Sequence, residues 1–226
     1  MGSLAYKVEG VQTAKTLLFQ SCQLSPPSVR GLFALCVIGV QHSDMNLIEA
    51  ALSEMTPHEN DPRFAPDIAF LRASILVLKG EVQAAKRSLL SQLHQQPWLG
   101  KLWSHLSLFL LQNSPKDAKF SARLASKAGV MRQRSEEVLE DGVENLVVGV
   151  VAMMMCGDSG GSLRRASQAC HQFPHLAQSW AVLVAAARLH SSSSSSWLSG
   201  ALSHVVRLGE SNEPLTQWAE RVARTA

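Results

Sequence analysis

Apolar residues recur at helical spacing along almost the whole chain, and this periodicity constrains the fold more than any other feature. Strand-like alternation of apolar and polar residues is nearly absent, so the sequence predicts an all-α protein. Turn-forming residues divide the pattern into short segments. We predict helices over 11–24, 28–42, 44–55, 64–79, 81–95, 98–112, 115–129, 135–156, 160–173, 175–190, 197–209 and 213–225.

A helix of this length with one apolar stripe cannot bury that stripe alone, so the chain must form a bundle or a stack of helix pairs. The proline spacing favours the stack. Pro27 and Pro62 are 35 residues apart, and so are Pro62 and Pro97. This spacing is close to the roughly 34-residue period of tetratricopeptide repeats. No proline stands near residue 132, where the period would place the next one, and the segment 135–156 is long for one repeat helix.

Smaller spacings recur with the prolines. A pattern of small and apolar residues ending in proline occurs three times, at Ala14/Leu18/Ser21/Pro26, Ala85/Leu89/Gln92/Pro97 and Ser162/Ala166/Ala169/Pro174. Pro97 and Pro174 are each followed six residues later by tryptophan, at Trp103 and Trp180. Small residues let two helices approach closely, and a large ring fills the space beside them, so we predict that both tryptophans belong to the core.

These patterns resemble the tetratricopeptide repeat. The resemblance implies a right-handed α-α superhelix, a single solenoid of about six helix pairs over residues 1–226. We interpret 191–196 as a serine-rich insertion and 213–226 as a C-terminal capping helix. Residues 1–7 resemble the end of a first helix whose start is missing, so we expect a fragment of a longer protein.

Within this class, the degenerate repeats and the serine-interrupted final pair resemble the C-terminal region of the scaffold-subunit family of the superkiller complex. That resemblance implies a non-enzymatic scaffold that holds a helicase and a WD-repeat subunit and supports exosome-mediated 3′-to-5′ RNA decay. It also implies a cytoplasmic location, with the nucleus left open as a second compartment. RNA contact would be indirect or weak.

Composition excludes some classes of protein but does not indicate a particular ligand or reaction. The net charge of +3 is too small to indicate nucleic acid by itself. The four cysteines are widely separated within apolar runs, which favours reduced thiols. The most apolar run, 146–156, has 11 residues, well short of the roughly 20 that a membrane-spanning helix needs. We predict neither a membrane segment nor a cofactor or small-molecule substrate.

The string GDSGG around Ser159 resembles the nucleophile segment of chymotrypsin-like proteases. Such a serine needs a histidine base, a buried aspartate and a β-barrel loop around it. Here the string joins two predicted helices. Its glycines are typical of the end of the first helix, and Asp158 is a suitable N-cap for the second. We therefore predict a turn and no catalytic residue, with a hydrolase as the alternative.

Cys156, Cys170, His171 and His175 could in principle hold zinc. Cys170 and His171 are adjacent, so on a helix they point about 100° apart, and a close pair of cysteines is missing. We interpret the cysteines as buried apolar residues and predict no metal site.

The basic series after residue 115 is the candidate interaction surface. Lys119, Arg123 and Lys127 are four residues apart and therefore share one helix face. Lys116, Arg132 and Arg134 extend the series, and the acidic residues Glu136, Glu137, Glu140, Asp141 and Glu144 follow it. The surface is either a solvated face or a docking site for a partner; RNA is less favoured because no aromatic residues interleave to stack bases.

Trp98 and Trp197 are outside the repeat positions, so we predict exposed rings that anchor a partner. Together these features predict a protein-protein interaction scaffold in which contacts are spread over an extended surface. Two alternatives of the binding class are an RNA-binding helical repeat and a tetratricopeptide adaptor unrelated to RNA decay.

Overall fold

A computed structural model describes residues 10–23, 28–135, 142–190, 196–209, 215–217 and 219–220. Within these ranges the regular elements are helices, with no strand. The α-helices are α1 (Val11–Cys22), α2 (Val29–His42), α3 (Met45–Met55), α4 (Ala65–Leu78), α5 (Val82–Gln95), α6 (Gly100–Asn113), α7 (Ala118–Ser135), α8 (Gly142–Met155), α9 (Ser159–Gln172), α10 (Ala177–His190) and α11 (Ser196–Leu208). The predicted all-α fold of helix pairs is confirmed. The chain divides into two compact units, residues 1–94 and 95–226.

Unit 1 is built on the packing of α2 against its neighbours α1, α3 and α4. Leu35, Cys36 and Ile38 of α2 are buried among apolar residues of α1, α3 and α4. The small-residue pattern is satisfied here because Ala14 and Leu18 of α1 belong to the same core. α5 follows with Ala85, Leu89 and Leu93 buried.

Local chemistry explains where the helices of unit 1 begin and end. Ser28 and Asp44 accept hydrogen bonds from the backbone amides three residues later and so cap α2 and α3. α4 ends before Gly80, whose φ of 81° lies in the left-handed region that glycine adopts without strain. The amide of Gly80 then donates to the carbonyl of Val77, which closes the turn into α5.

Unit 2 stacks α6 to α11 in sequence order, each helix against the next. α8 also contacts α6 and α10, the first helices of the two adjacent pairs. This second set of contacts is typical of stacked helical repeats. The small residues Ser162, Ala166 and Ala169 of α9 are fully buried, as their spacing predicted.

The repeated Pro-Trp spacing has a specific structure. The indole Nε1–H of Trp180 donates to the carbonyl oxygen of Pro174 at 2.8 Å, and Trp103 makes the same 2.8 Å bond with Pro97. Both rings are half-buried, so the predicted core assignment holds only for part of each ring. Trp180 also stacks on His204 of α11 at a ring distance of 4.4 Å.

One predicted boundary was wrong. The helix predicted over 115–129 starts at Ala118 and continues to Ser135, since no breaker interrupts residues 130–135. The helix predicted over 135–156 is described over Gly142–Met155, and residues 136–141 lie outside the described residues. The absent proline near residue 132 therefore corresponds to the continuation of α7.

Part of the predicted C-terminal cap is described. Ala219 is buried with Ala181 of α10 and Val205 of α11, and Leu215 packs against this cluster. Trp218 and residues 210–214 and 221–226 lie outside the described residues, as do 1–9 at the other end. The serine tract at 191–195 also lies outside them, and Ser196 is the first residue of α11.

Candidate functional site

The predicted basic face is the exposed side of α7. Lys119, Arg123 and Lys127 are all exposed, while Ser121, Leu124 and Ala125 on the opposite side of the helix are buried. No ion pair joins the three cations to any residue in the described ranges. The side chains of Arg132 and Arg134 and the acidic residues at 136, 137, 140 and 141 lie outside the described residues, whereas Glu144 is exposed on α8.

A cleft of about 550 Å³ opens beside this face. Its first wall is α7, and its second wall is the C-terminal end of α8 with the turn that follows. Lys119 and Arg123 line the cleft, whereas Lys127, one turn further along α7, does not. The lining residues are Lys119, Ala122, Arg123, Ser126, Met153, Cys156, Gly157 and Asp158.

The second wall has a fixed backbone. Gly157 has a φ of 79°, and the amide of Asp158 donates to the carbonyl of Met153 at 3.0 Å, which closes the end of α8. The Asp158 carboxylate then accepts from the amide of Gly161 at 2.8 Å and caps α9. The GDSGG string is thus a helix end and a helix start, as predicted.

A half-buried guanidinium contacts one residue of the cleft lining, Ser126. Arg165 of α9 donates from Nη1 to the hydroxyl of Ser126 at 2.8 Å and from Nη2 to the carbonyl of Ala125 at 3.2 Å. Desolvation by burial lowers the pKa of Arg165. In the described part of the chain, no carboxylate pairs with it. A positive charge that is hydrogen-bonded to two neutral oxygens therefore lies next to the lining residue Ser126.

Gly149 of α8 makes room for this arginine. A methyl group at Gly149 would lie 2.5 Å from Nε and 2.9 Å from Cζ of Arg165. Atoms this close would collide, so a side chain at this position would displace the guanidinium. The sequence gives no separate signal for this contact, which joins residues on different helices.

Ser159 has a histidine neighbour that the sequence did not reveal. His190 Nδ1, at the end of α10, lies 3.4 Å from the Ser159 hydroxyl. The adjacent carboxylate of Asp158 is bonded to Gly161, and no other described carboxylate is hydrogen-bonded to His190. The pair therefore lacks the orienting acid of a catalytic triad.

The four candidate zinc ligands are not brought together. Cys156 is exposed at the end of α8, whereas Cys170 is buried and donates from Sγ to the carbonyl of Ser179 at 3.1 Å. Burial raises the pKa of the Cys170 thiol to about 12. Among the described residues, no group of three or more histidine, cysteine or acidic side chains is arranged around a metal position. The interpretation of Cys156 as a buried residue was wrong, because it lies where α8 ends at the cleft.

The two predicted anchor tryptophans are exposed. Trp98 is 59% exposed just before α6, and Trp197 is 47% exposed near the start of α11. Partner binding by these rings, and by Lys119, Arg123 and Lys127, stays a prediction. The expectation that no aromatic residue interleaves with the basic series was wrong, because Phe120 follows Lys119 directly and is 45% exposed.

Comparisons with known proteins agree with this fold. No family model matches the chain. Tetratricopeptide repeat protein 37 of Xenopus laevis is 31% identical over 184 residues, which is 80% of this chain and 12% of that relative. Superkiller complex protein 3 of Mus musculus is 28% identical over 191 residues, 82% of this chain and 12% of the relative. The Homo sapiens protein of that name is 32% identical over 114 residues, 50% of this chain and 7% of the relative.

The stacked helix pairs and these likenesses define the chain as a tetratricopeptide-like helical-repeat protein. Within this class, it resembles Superkiller complex protein 3. The matched region spans 12% or less of each of these relatives. In the described part of the chain, no helix combines the length and apolar character needed to cross a membrane.

Proposed function

We propose that the chain is a non-enzymatic protein-protein interaction scaffold and a subunit of a superkiller complex that supports exosome-mediated 3′-to-5′ cytoplasmic RNA decay. The observation that carries the proposal is the likeness to Superkiller complex protein 3 over 82% of this chain. In this proposal its partners are a helicase and a WD-repeat subunit, and its contact with RNA is indirect. It acts in the cytoplasm, with the nucleus as a second compartment to be tested.

Stacked helix pairs suit this role because they present many side chains on a rigid surface, so a partner binds without first ordering the scaffold. The exposed rings of Trp98 and Trp197 are suitable anchors, since tryptophan is enriched among residues that dominate binding energy. The buried thiols of Cys36 and Cys170 fit a structural role. Burial raises the pKa of the Cys36 thiol to about 11 and that of Cys170 to about 12, which keeps both protonated at neutral pH.

The test is affinity purification of the tagged 226-residue chain from vertebrate cells, followed by quantitative mass spectrometry. We expect the superkiller helicase and the WD-repeat subunit to be enriched with the wild-type chain and reduced with the double variant Trp98→Ala/Trp197→Ala. Leu189→Ala is the matched control, because Leu189 is also a large exposed apolar residue. Reproducible enrichment of an unrelated set of proteins, with no superkiller subunit, would favour a general adaptor instead.

RNA binding is the second candidate, and the row of Lys119, Arg123 and Lys127 beside exposed Phe120 is the observation that favours it. A direct RNA contact would show an affinity that falls steeply with salt. Fluorescence anisotropy with oligouridylate at 50 and 200 mM salt measures this dependence. Weak binding that Lys119→Gln/Arg123→Gln/Lys127→Gln does not change would leave only the indirect role.

A further inference from the structure

We propose that the cleft between α7 and the end of α8 binds an acidic, partly apolar peptide segment of a partner protein. The inference rests on the protein-binding part of the proposed function and adds a location and a ligand chemistry to it. Lys119 and Arg123 would pair with carboxylates, and Ala122 and Met153 would contact an apolar side chain between them.

Charge is the first argument. Lys119 and Arg123 line the cleft, and Arg165 is hydrogen-bonded to the lining residue Ser126, so three positive charges face the single carboxylate of Asp158 among the lining residues. None of the three cations pairs with a carboxylate in the described ranges. Arg165 is half-buried and so partly removed from water without an anionic partner, which is unfavourable, and a bound carboxylate nearby would reduce that cost. The cleft therefore favours an anionic ligand.

Spacing is the second argument. Residues four apart on a helix are separated by about 6 Å along its axis. Alternate residues of an extended peptide are separated by about 6.6 Å and point to the same side. An extended segment with acidic residues at alternate positions could therefore meet Lys119 and Arg123 in turn. The helix fixes this spacing, so a rigid row of donors faces the ligand.

The lining also favours a peptide over RNA. Asp158 stands in the second wall, where its carboxylate could accept a hydrogen bond from a peptide amide. Ala122, Met153 and Cys156 offer apolar and sulfur surface, and methionine adapts to different apolar side chains. Phe120 is not among the lining residues, so the cleft has no aromatic ring on which a base could stack.

Fluorescence anisotropy with the purified 226-residue chain tests the proposal. The probe is a fluorescein-labelled ten-residue peptide with glutamate at alternate positions and leucine near its centre, and glutamine replaces glutamate in the comparison peptide. We expect the acidic peptide to bind at least tenfold more tightly than the glutamine peptide. We expect Lys119→Glu/Arg123→Glu to weaken its binding at least tenfold, and the milder Lys119→Gln/Arg123→Gln to weaken it about threefold or more.

The matched control is Lys116→Glu/Arg164→Glu. It changes the net charge by the same amount at two exposed residues of the same unit that do not line the cleft. We expect less than a threefold effect. Equal weakening by the control and the cleft variant would mean general attraction between charges and would overturn the site. If a twenty-nucleotide oligouridylate bound more tightly than the acidic peptide, and the same cleft variant abolished that binding, the ligand would be RNA and the proposal would be overturned.

A second readout needs no substitution. Cys156 is exposed and lines the cleft, and Cys22 in unit 1 is half-buried and provides an internal control. Bound peptide should slow the labelling of Cys156 by N-ethylmaleimide at least threefold and leave Cys22 unchanged. Unaltered labelling of Cys156 at saturating peptide would place the peptide elsewhere and overturn the proposal.

The two proposals can fail separately. If superkiller subunits co-purify with the chain but the acidic peptide does not bind, only the cleft assignment is overturned. If the acidic peptide binds at the cleft but no superkiller subunit co-purifies, the cleft stands and the assignment to that complex is wrong.

Discussion

Trp103 donates its indole N–H to the carbonyl oxygen of Pro97, 2.8 Å away, and so joins the first turn of α6 to the residues that follow α5. Trp180 and Pro174 repeat this bond before α10. The six-residue spacing therefore places each tryptophan where its indole N–H can bond to the carbonyl oxygen of the preceding proline.

We expect Trp103→Ala to lower the free energy of unfolding of unit 2 by about 2–4 kcal/mol. The ring is half-buried, so the loss should be less than the roughly 3–5 kcal/mol typical of a fully buried large aromatic residue. Trp103→Phe keeps most of the ring and loses the hydrogen bond, which should cost about 1 kcal/mol. Urea unfolding followed by tryptophan fluorescence is the measurement, because all five tryptophans lie in unit 2. Equal losses for both variants would show that packing of the ring contributes nothing.

Gly149→Ala should destabilise unit 2 by up to about 2 kcal/mol, although alanine favours helix over glycine by about 1 kcal/mol. The added methyl group would meet the guanidinium of Arg165, and crowding of this kind typically costs about 1–3 kcal/mol. Gly200→Ala is the control, because a methyl group there meets nothing within 4 Å and should add up to about 1 kcal/mol of stability. The same unfolding assay compares the two. A stabilising Gly149→Ala would show that Arg165 moves aside freely.

Ser107 and Ser121 form a reciprocal buried pair between α6 and α7. Each hydroxyl lies 2.8 Å from the other residue's carbonyl oxygen. Either single change to alanine should cost about 1–2 kcal/mol through one lost buried hydrogen bond. The double variant should cost less than the sum by at least about 0.5 kcal/mol, since both residues share one network. Strict additivity in urea unfolding would mean that the two hydrogen bonds act independently.

The stability that Asp44 gives to unit 1 should depend on pH. Hydrogen bonds from the Lys15 side chain and then from the Leu47 amide lower the pKa of Asp44 below its ordinary value of 3.8. A lowered carboxyl pKa contributes stability above about pH 4, and this contribution is lost as the pH falls through the folded-state pKa. Asp44→Asn should therefore lower the Tm at pH 7, with a difference that shrinks below pH 4.

Circular dichroism melts between pH 2.5 and 7 measure this difference. Glu54→Gln is the control, because Glu54 is exposed and has no hydrogen bond or ion pair with the described residues. A Tm difference for Asp44→Asn that stays constant down to pH 2.5 would contradict the proposed pairing with Lys15.

We expect Ser159 not to react with a fluorophosphonate probe at neutral pH. Its neighbour His190 lies 3.4 Å away without a carboxylate from the described residues to orient it. Labelling followed by mass spectrometry would detect modification of Ser159, with Ser159→Ala as the control. Stoichiometric labelling of Ser159 that disappears in the variant would show that Ser159 is a reactive nucleophile and would favour the hydrolase alternative.

Most of the helices could be predicted because their apolar periodicity and their breakers are local signals. The prediction failed where no such signal exists. Residues 130–135 contain no glycine or proline, and α7 continues through them to Ser135, although the sequence prediction ended that helix at residue 129.

The candidate site was predictable on one wall only. The spacing of Lys119 and Arg123 placed them on one helix face, but Met153 and Asp158 opposite them lie about thirty residues later in the chain. Arg164 and Arg165 are also indistinguishable in the sequence. Arg165 packs against Gly149 and Ser126 and is half-buried, whereas Arg164 is exposed.

The bonds from Trp103 and Trp180 each reach back only six residues, so the start of α6 and the start of α10 are each fixed by a short local stretch of chain. The residues that make this contact therefore lie close together in the sequence, at the start of the pair itself. Duplicating or deleting such a pair during evolution would require no compensating change at a distant centre. This independence would let arrays of very different lengths arise from one kind of building block.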